Sequence, residues 1–117
     1  MKASEFRTSL KNRPKYNNNK VNGYDSAKES IRASELKLMQ NQGIISDLKE
    51  QVHFKLIPTQ RDTKGNLIEK ICSYVADFTY MKEEKLVVED TKGMRLPAYI
   101  IKRKLMLAVH GIRILET

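Results

Sequence analysis

The chain has 117 residues, with 22 Lys and Arg against 14 Asp and Glu and a net charge of +8. That length suits one domain, and 40% hydrophobic residues with three Phe and no Trp leave the core to aliphatic side chains. A single cysteine, Cys72, excludes an internal disulfide and reads as buried strand filler ahead of nucleophile. No run of about 18 apolar residues offers a membrane helix and no secretory h-region is visible, so cytoplasmic is the default expectation. The basic excess points to a polyanion, nucleic acid or an anionic membrane, with solubility alone as the blander reading.

Residues 1–24 are expected to form a flexible basic arm. RPKYNNNKVNG is polar, asparagine-rich and broken by Pro14. Up to Lys28 the chain carries seven Lys and Arg, Lys15 and Lys20 among them, against Glu5 and Asp25. Such an arm can hold phosphates, or it can be a tail that only resists aggregation. A single domain is expected over 25–117. The first helix is predicted from Asp25 or Ser26 to about Gln42, with Gly43 ending it and Ser26-x-x-Glu29 as a capping box. Its apolar face is assigned to Ala27, Ile31 and Leu38, with Leu36 and Met39 offset.

Alternation of Val52, Phe54 and Leu56 predicts a first strand over 51–57, stopped by Pro58, and TQRDTKGN reads as a loop. A second strand is predicted over 67–80, with Ile71, Ser73, Val75, Asp77 and Thr79 on one face. MKEE forms a turn, and a third strand runs from Lys85 to Thr91 or Lys92, placing Leu86, Val88, Asp90 and Lys92 together. Pro97 fits the first turn of a second helix with Ala98, Ile101, Leu105, Ala108 and Val109 as its stripe, ending before Gly111. IRIL, residues 112–115, makes the last strand. The order α-β-β-β-α-β predicts an α/β fold, a mixed central sheet flanked by helices.

Asp77, Asp90 and Lys92 are costly where a buried strand face should continue. In a simple hairpin Asp77 and Asp90 become near neighbours across the ladder, and two such carboxylates need a compensating charge. Mg²⁺ accepts one or two carboxylates and keeps other positions for water and phosphate oxygens, and it can activate water against a phosphodiester. Lys92 shares a face with Asp90, so its ammonium can orient water or offset transition-state charge. Gly93 allows another backbone to approach closely. The plainer reading is a solvated edge pair, with Asp77 opening a turn. His53 and His110 suggest no zinc site. Lys92, Arg95, Lys102, Arg103 and Lys104 form a run without an acid, fit either to hold phosphates or to serve as a solvated face.

D77-(12 residues)-D90-T-K92, on the second and third strands after an acid-bearing helix, resembles the PD-(D/E)XK nuclease superfamily, which includes restriction endonucleases and archaeal-type Holliday junction resolvases. KYNNNKV, GYDSAKES, ELKLMQNQGIISDLKEQ, YVADFTY, LVVEDTKG and YIIKRKLMLAVHGIRILE resemble small phage- and prophage-encoded proteins grouped with that superfamily as endonucleases. The resemblance implies a restriction-endonuclease-like core and a Mg²⁺- or Mn²⁺-dependent DNA endonuclease, structure-selective, from a phage or prophage in a bacterial host. Asp77 and Asp90 would bind metal, the Thr91 carbonyl would complete the shell, and Lys92 would be the catalytic lysine. Glu29 matches the acid often added from the first helix, although it is also the cap residue, and Glu35 is a weaker substitute. Gln51 matches a glutamine that could hold water or phosphate, or could be a surface strand residue. Ala76 stands where the familiar proline would be, and Glu89 competes with Asp90 for the (D/E)XK slot; the face shared with Lys92 favours Asp90. A homodimer would supply two sites for two strands. The competing expectations are a nucleic-acid-binding module whose acids are structural, and a small partner-binding phage protein.

Overall fold

The computed structural model describes residues 23, 26–92 and 94–117. The expected basic arm, with Lys15 and Lys20, and the expected role of Gly93 lie outside the described residues. The described residues fall into two units that meet in sequence between Ile31 and Arg32. The fold is mixed α/β with two helices and a mixed sheet.

Helix α1 spans Ala27–Asn41. Ser26 caps it, its Oγ accepting the Glu29 N–H at 3.0 Å, and Gly43 leaves it with φ of 79°. The left-handed conformation there suits a residue without Cβ. Its buried apolar side chains are Ala33 and Leu36, whereas Ile31 and Leu38 are exposed. Of the expected face, Leu36 is buried and Met39 half-buried while Ala27, Ile31 and Leu38 lie outward, so the buried side is rotated toward Leu36. Two polar anchors explain the rotation within the second unit: Arg32 reaches Glu89, and Gln40 Oε1 accepts the Leu48 N–H at 2.9 Å.

Strand β1 spans Ser46–Ile57, β2 Gln60–Arg61, β3 Leu67–Glu69, β4 Cys72–Lys82 and β5 Lys85–Asp90. Helix α2 spans Pro97–Leu105 and continues as a π-helical turn, Met106–His110, before β6 at Leu115–Glu116. The main sheet has the order β1-β4-β5-β6, antiparallel except for the parallel pair β5–β6. The long second strand expected from Leu67 is in fact two. β2 and β3 make their own antiparallel hairpin, organised by Asp62, whose Oδ1 accepts the Lys64 and Asn66 N–H groups at 2.9 Å each. Those bonds, Asn66 foremost, hold its carboxyl below the usual range. The last strand lies at 115–116 instead of 112–115, and Ile114 goes into the core.

Tyr99 and Met106 of the α2 segment pack with Leu56, Tyr74, Ala76, Val88 and Ile114. Of the stripe expected on α2, Leu105 packs against this core, whereas Ile101 is 58% exposed and Val109 51%. Tyr99 wins the inward position because its ring is apolar while its hydroxyl finds a carboxylate, Glu116, at 2.6 Å.

β4 does not alternate as an ideal strand. Tyr74 and Ala76 share a cluster with Val88, and Val88 stands opposite Thr79 in the ladder. Directly opposed residues project to one face, so residues 74, 76 and 79 lie on the same side. Tyr80, one residue on, bonds Glu89 on the other side. The alternation slips by one residue around Asp77. Opposite Asp77, between the pairs Val52↔Ala76 and Glu50↔Phe78, sits Gln51 with a φ of 54°. The continuous face expected for Val75, Asp77 and Thr79 is thus broken, with Val75 and Thr79 on opposite sides.

A candidate metal and nucleic-acid site where the pairing of β4 and β5 stops

The last ladder pair of β4 and β5 is Phe78↔Glu89, so Asp77 and Asp90 are the next residues out on the two strands. Asp77 Oδ2 accepts the Thr91 N–H at 2.9 Å, which ties its carboxylate to the chain just beyond Asp90. Asp90 is 2% exposed. Its Oδ2 accepts the Tyr74 hydroxyl at 2.6 Å and its Oδ1 lies 3.4 Å from Lys92 Nζ. Burial and the Asp90 bond raise the Tyr74 hydroxyl pKa far above its usual value, and the Asp77 charge adds in the same direction. One phenol therefore feels both carboxylates. Lys92 Nζ sits 4.3 Å from the centroid of the Tyr99 ring, whose π face favours a cation.

Parallel pairing of β5 with β6 sets Glu116 beside Asp90, held by the Thr117 N–H to the Asp90 carbonyl at 3.0 Å and the Lys92 N–H to the Thr117 carbonyl at 3.2 Å. Glu116 collects the Tyr99 hydroxyl at 2.6 Å, Arg95 at 2.7 Å and Arg103 at 3.1 Å. Arg95 first, then Tyr99, hold its carboxyl down to about 2. Burial, then Glu116, pushes the Tyr99 hydroxyl well up. Asp90, Lys92, Tyr74, Tyr99 and Glu116 thus form one connected polar set on the α2 side of the sheet.

Glu89 belongs to the other side. It is fully buried, and its carboxylate takes Arg32 Nε at 2.7 Å, Arg32 NH2 at 2.9 Å and the Tyr80 hydroxyl at 2.6 Å. Those partners commit Glu89 to a buried pair away from Lys92, while Asp90 is the acid that meets the lysine. Glu35 is spent on a partly exposed pair with Arg32 at 2.9 Å. Gln51 is exposed and stands across from Asp77 in the register. Glu29 lies in the unit ending at Ile31; it is buried, and its N–H makes the cap bond. Among the described residues no group of three or more His, Cys, Asp or Glu is arranged to hold a metal ion. The donor set that remains, one carboxylate at the end of β5 and one from the middle of β4 with an ammonium beside Asp90, suits a hard cation that keeps most of its water.

Of the basic run, Arg95 and Arg103 are engaged by Glu116, and Lys104 joins them in lining a cleft of about 430 Å³ together with Arg113. Lys102 is half-buried and outside that lining. Sequence reasoning passed over Tyr74, Tyr99, Arg113 and Glu116. Tyr74 was assigned to the wrong face by the slip at Asp77. Glu116 gives no signal until the β5–β6 register is known. No described helix is long and apolar enough to cross a membrane.

No curated protein and no solved structure matches the chain. One family pattern matches residues 13–112, which is most of its length, and the chain belongs to that family, described as protein of unknown function (DUF1064).

Proposed function

We propose that the protein is a metal-dependent DNA endonuclease built on a restriction-endonuclease-like core, hydrolysing phosphodiesters beside the end of β5, where its pairing with the middle of β4 stops. The observation that carries the reading is geometric: Asp77 and Asp90 follow the last β4–β5 ladder pair, Asp77 accepts the Thr91 N–H at 2.9 Å, and Lys92 lies 3.4 Å from the Asp90 carboxylate. The element order α1, β1, β4, β5, α2, β6, with the β2–β3 hairpin as an insertion, supports it, as do the resemblance of D77…D90-T-K92 and a net charge of +8.

Asp77, Asp90 and the Thr91 carbonyl would hold Mg²⁺ or Mn²⁺. When bound, the ion would supply a water of lowered pKa and charge for the phosphoryl oxygens. The protein's own groups do the rest. Tyr74 fixes one Asp90 oxygen. Asp77 is oriented by the Thr91 N–H. Lys92, propped on the Tyr99 ring, offers a mobile ammonium that can pass from Asp90 to a phosphate oxygen or an attacking water as charge develops. Gln51, opposite Asp77, can hold a water or phosphate at the rim.

The test is cleavage of labelled branched and linear duplex DNA with Mg²⁺ or Mn²⁺. Wild type is set beside Asp90→Asn, which preserves an acceptor for Tyr74, and Lys92→Ala. Loss of cutting by at least about a hundredfold in both is expected, the scale of removing one electrostatic catalytic group. Intact cutting in either variant would overturn the assignment. A rise in melting temperature with Mn²⁺, absent in Asp90→Asn, should accompany it.

One observation favours a second reading, a non-catalytic nucleic-acid-binding protein: both Asp90 oxygens already have partners within the chain, Tyr74 and Lys92. Binding without cutting on every substrate would decide for it.

A further inference from the structure

The cleft between α2 and β6 is lined by four cations, Arg95, Arg103, Lys104 and Arg113, against a single acid, Glu116. The four do not play the same part. Arg95 and Arg103 are held by Glu116 at 2.7 and 3.1 Å, and a guanidinium with five N–H donors has others to spare. Lys104 and Arg113 are exposed and have no ion-pair partner among the described residues. They face the cleft from opposite elements, one from the helix and one from the segment entering β6. A concave space of about 430 Å³ with an uncompensated charge of three is a poor place for anything but an anion. Glu116 supplies the continuity. It braces the cleft arginines and stands beside Asp90 in the β5–β6 ladder, so whatever binds here approaches the polar set around Asp90.

We propose that this cleft binds backbone phosphates of a nucleic acid, with Arg113 and Lys104 neutralising charge and Glu116 holding Arg95 and Arg103 as pre-set forks. The cleft is open and its cations are spread over two elements, which fits successive phosphates on a strand better than one small ion. This deepens the endonuclease reading by naming what positions the substrate, yet it concerns binding alone and stands without cleavage.

The experiment measures fluorescence anisotropy of labelled duplex and single-stranded oligonucleotides across a salt series, in EDTA so that no cutting intervenes. Arg113→Ala and Lys104→Ala remove groups that hold nothing else in place, so the fold is kept. Lys64→Ala, an exposed charge on the β2–β3 hairpin, controls for net charge. Each cleft variant should weaken binding several-fold and lower the slope of log affinity against log salt by about 1, with Lys64→Ala changing neither. Equal losses in all three variants, or none in the cleft pair, would overturn the proposal. Inorganic phosphate is the second arm. A phosphate-driven rise in melting temperature that Arg113→Ala abolishes, with oligonucleotide binding untouched, would make this a free-phosphate site and overturn the nucleic-acid assignment. Cutting at saturating DNA reports separately on Asp90 and Lys92, so either reading can fail alone.

Discussion

Glu89 and Asp90 are adjacent acids with opposite fates. Side chains alternate along a strand, so one enters a buried pair and the other meets a lysine. The Glu89 carboxylate has three short donors and no access to water. Removing Arg32 would leave a buried charge with only the Tyr80 hydroxyl to hold it. Arg32→Ala is therefore expected to cost about 3–5 kcal/mol, read as a lower urea midpoint at unchanged m-value. Glu35→Ala breaks the other Arg32 contact, an exposed one, and should cost less than about 1 kcal/mol. A similar loss in both would mean that the Glu89 pair is not the anchor the geometry makes it. That Asp90, and not Glu89, shares a side with Lys92 was legible in the sequence, because parity needs only period two. The tyrosines were not. A phenol in a strand looks like core, and its role rests on where one hydroxyl ends, which depends on the slip at Asp77 and on a helix far along the chain.

At the scale of elements, the hairpin between β4 and β5 was legible and its conformation was not. MKEE reads as a turn by polarity, but the structure closes it in two residues, Glu83 and Glu84, with φ of 51° and 64° between the paired Lys82 and Lys85. Two positive φ values mark the turn that matches strand twist, and Asn-Gly is its natural occupant. Glutamate there bears a left-handed cost of about 1–2 kcal/mol per residue. Glu84→Gly should return about 1 kcal/mol of it, net of the added unfolded-state entropy, as a raised urea midpoint. A destabilised variant would mean that the side chain makes a contact worth more than its strain. The α2 stripe held at Leu105 and failed elsewhere for another reason. Ala98, Ile101 and Val109 have the right spacing, but hydrophobic period alone does not rank a stripe against a neighbouring one that carries Tyr99 and Met106. The ranking came from Glu116, which gives the Tyr99 hydroxyl a partner and so permits its burial. The expected long second strand splits because its two parts pair with different partners: β3 with β2 in a hairpin of its own, and β4 with β1 and β5 in the main sheet.

At the scale of the whole molecule, the acids and phenols that build the site also bound the pH range in which the fold is stable. Glu116 titrates at an ordinary 4.5 when unfolded and at about 2 when held by Arg95, Tyr99 and Arg103. A lowered folded pKa contributes stability that is present above the unfolded value and lost as pH falls through the folded one. The acid limb should therefore descend from about 4.5 toward about 2. The phenols act with the opposite sign. The Tyr80 hydroxyl is pushed from 10.0 up to about 12 by burial and its Glu89 bond, and Tyr74 and Tyr99 move the same way. Their contribution is complete below about 10 and is lost as pH rises through the folded values. Urea midpoints measured across pH should form a plateau with both shoulders. Self-repulsion in a chain with 22 Lys and Arg against 14 acids also weakens the fold in acid, so the acid shoulder alone does not identify Glu116. The difference between wild type and Glu116→Gln does, because the background repulsion is common to both. That difference should be constant above about pH 5 and shrink toward pH 2, where the wild-type carboxylate is itself protonated. A gap that does not change with pH would make Glu116 a packing residue, and the arginines of the cleft would then owe their positions to something other than its charge.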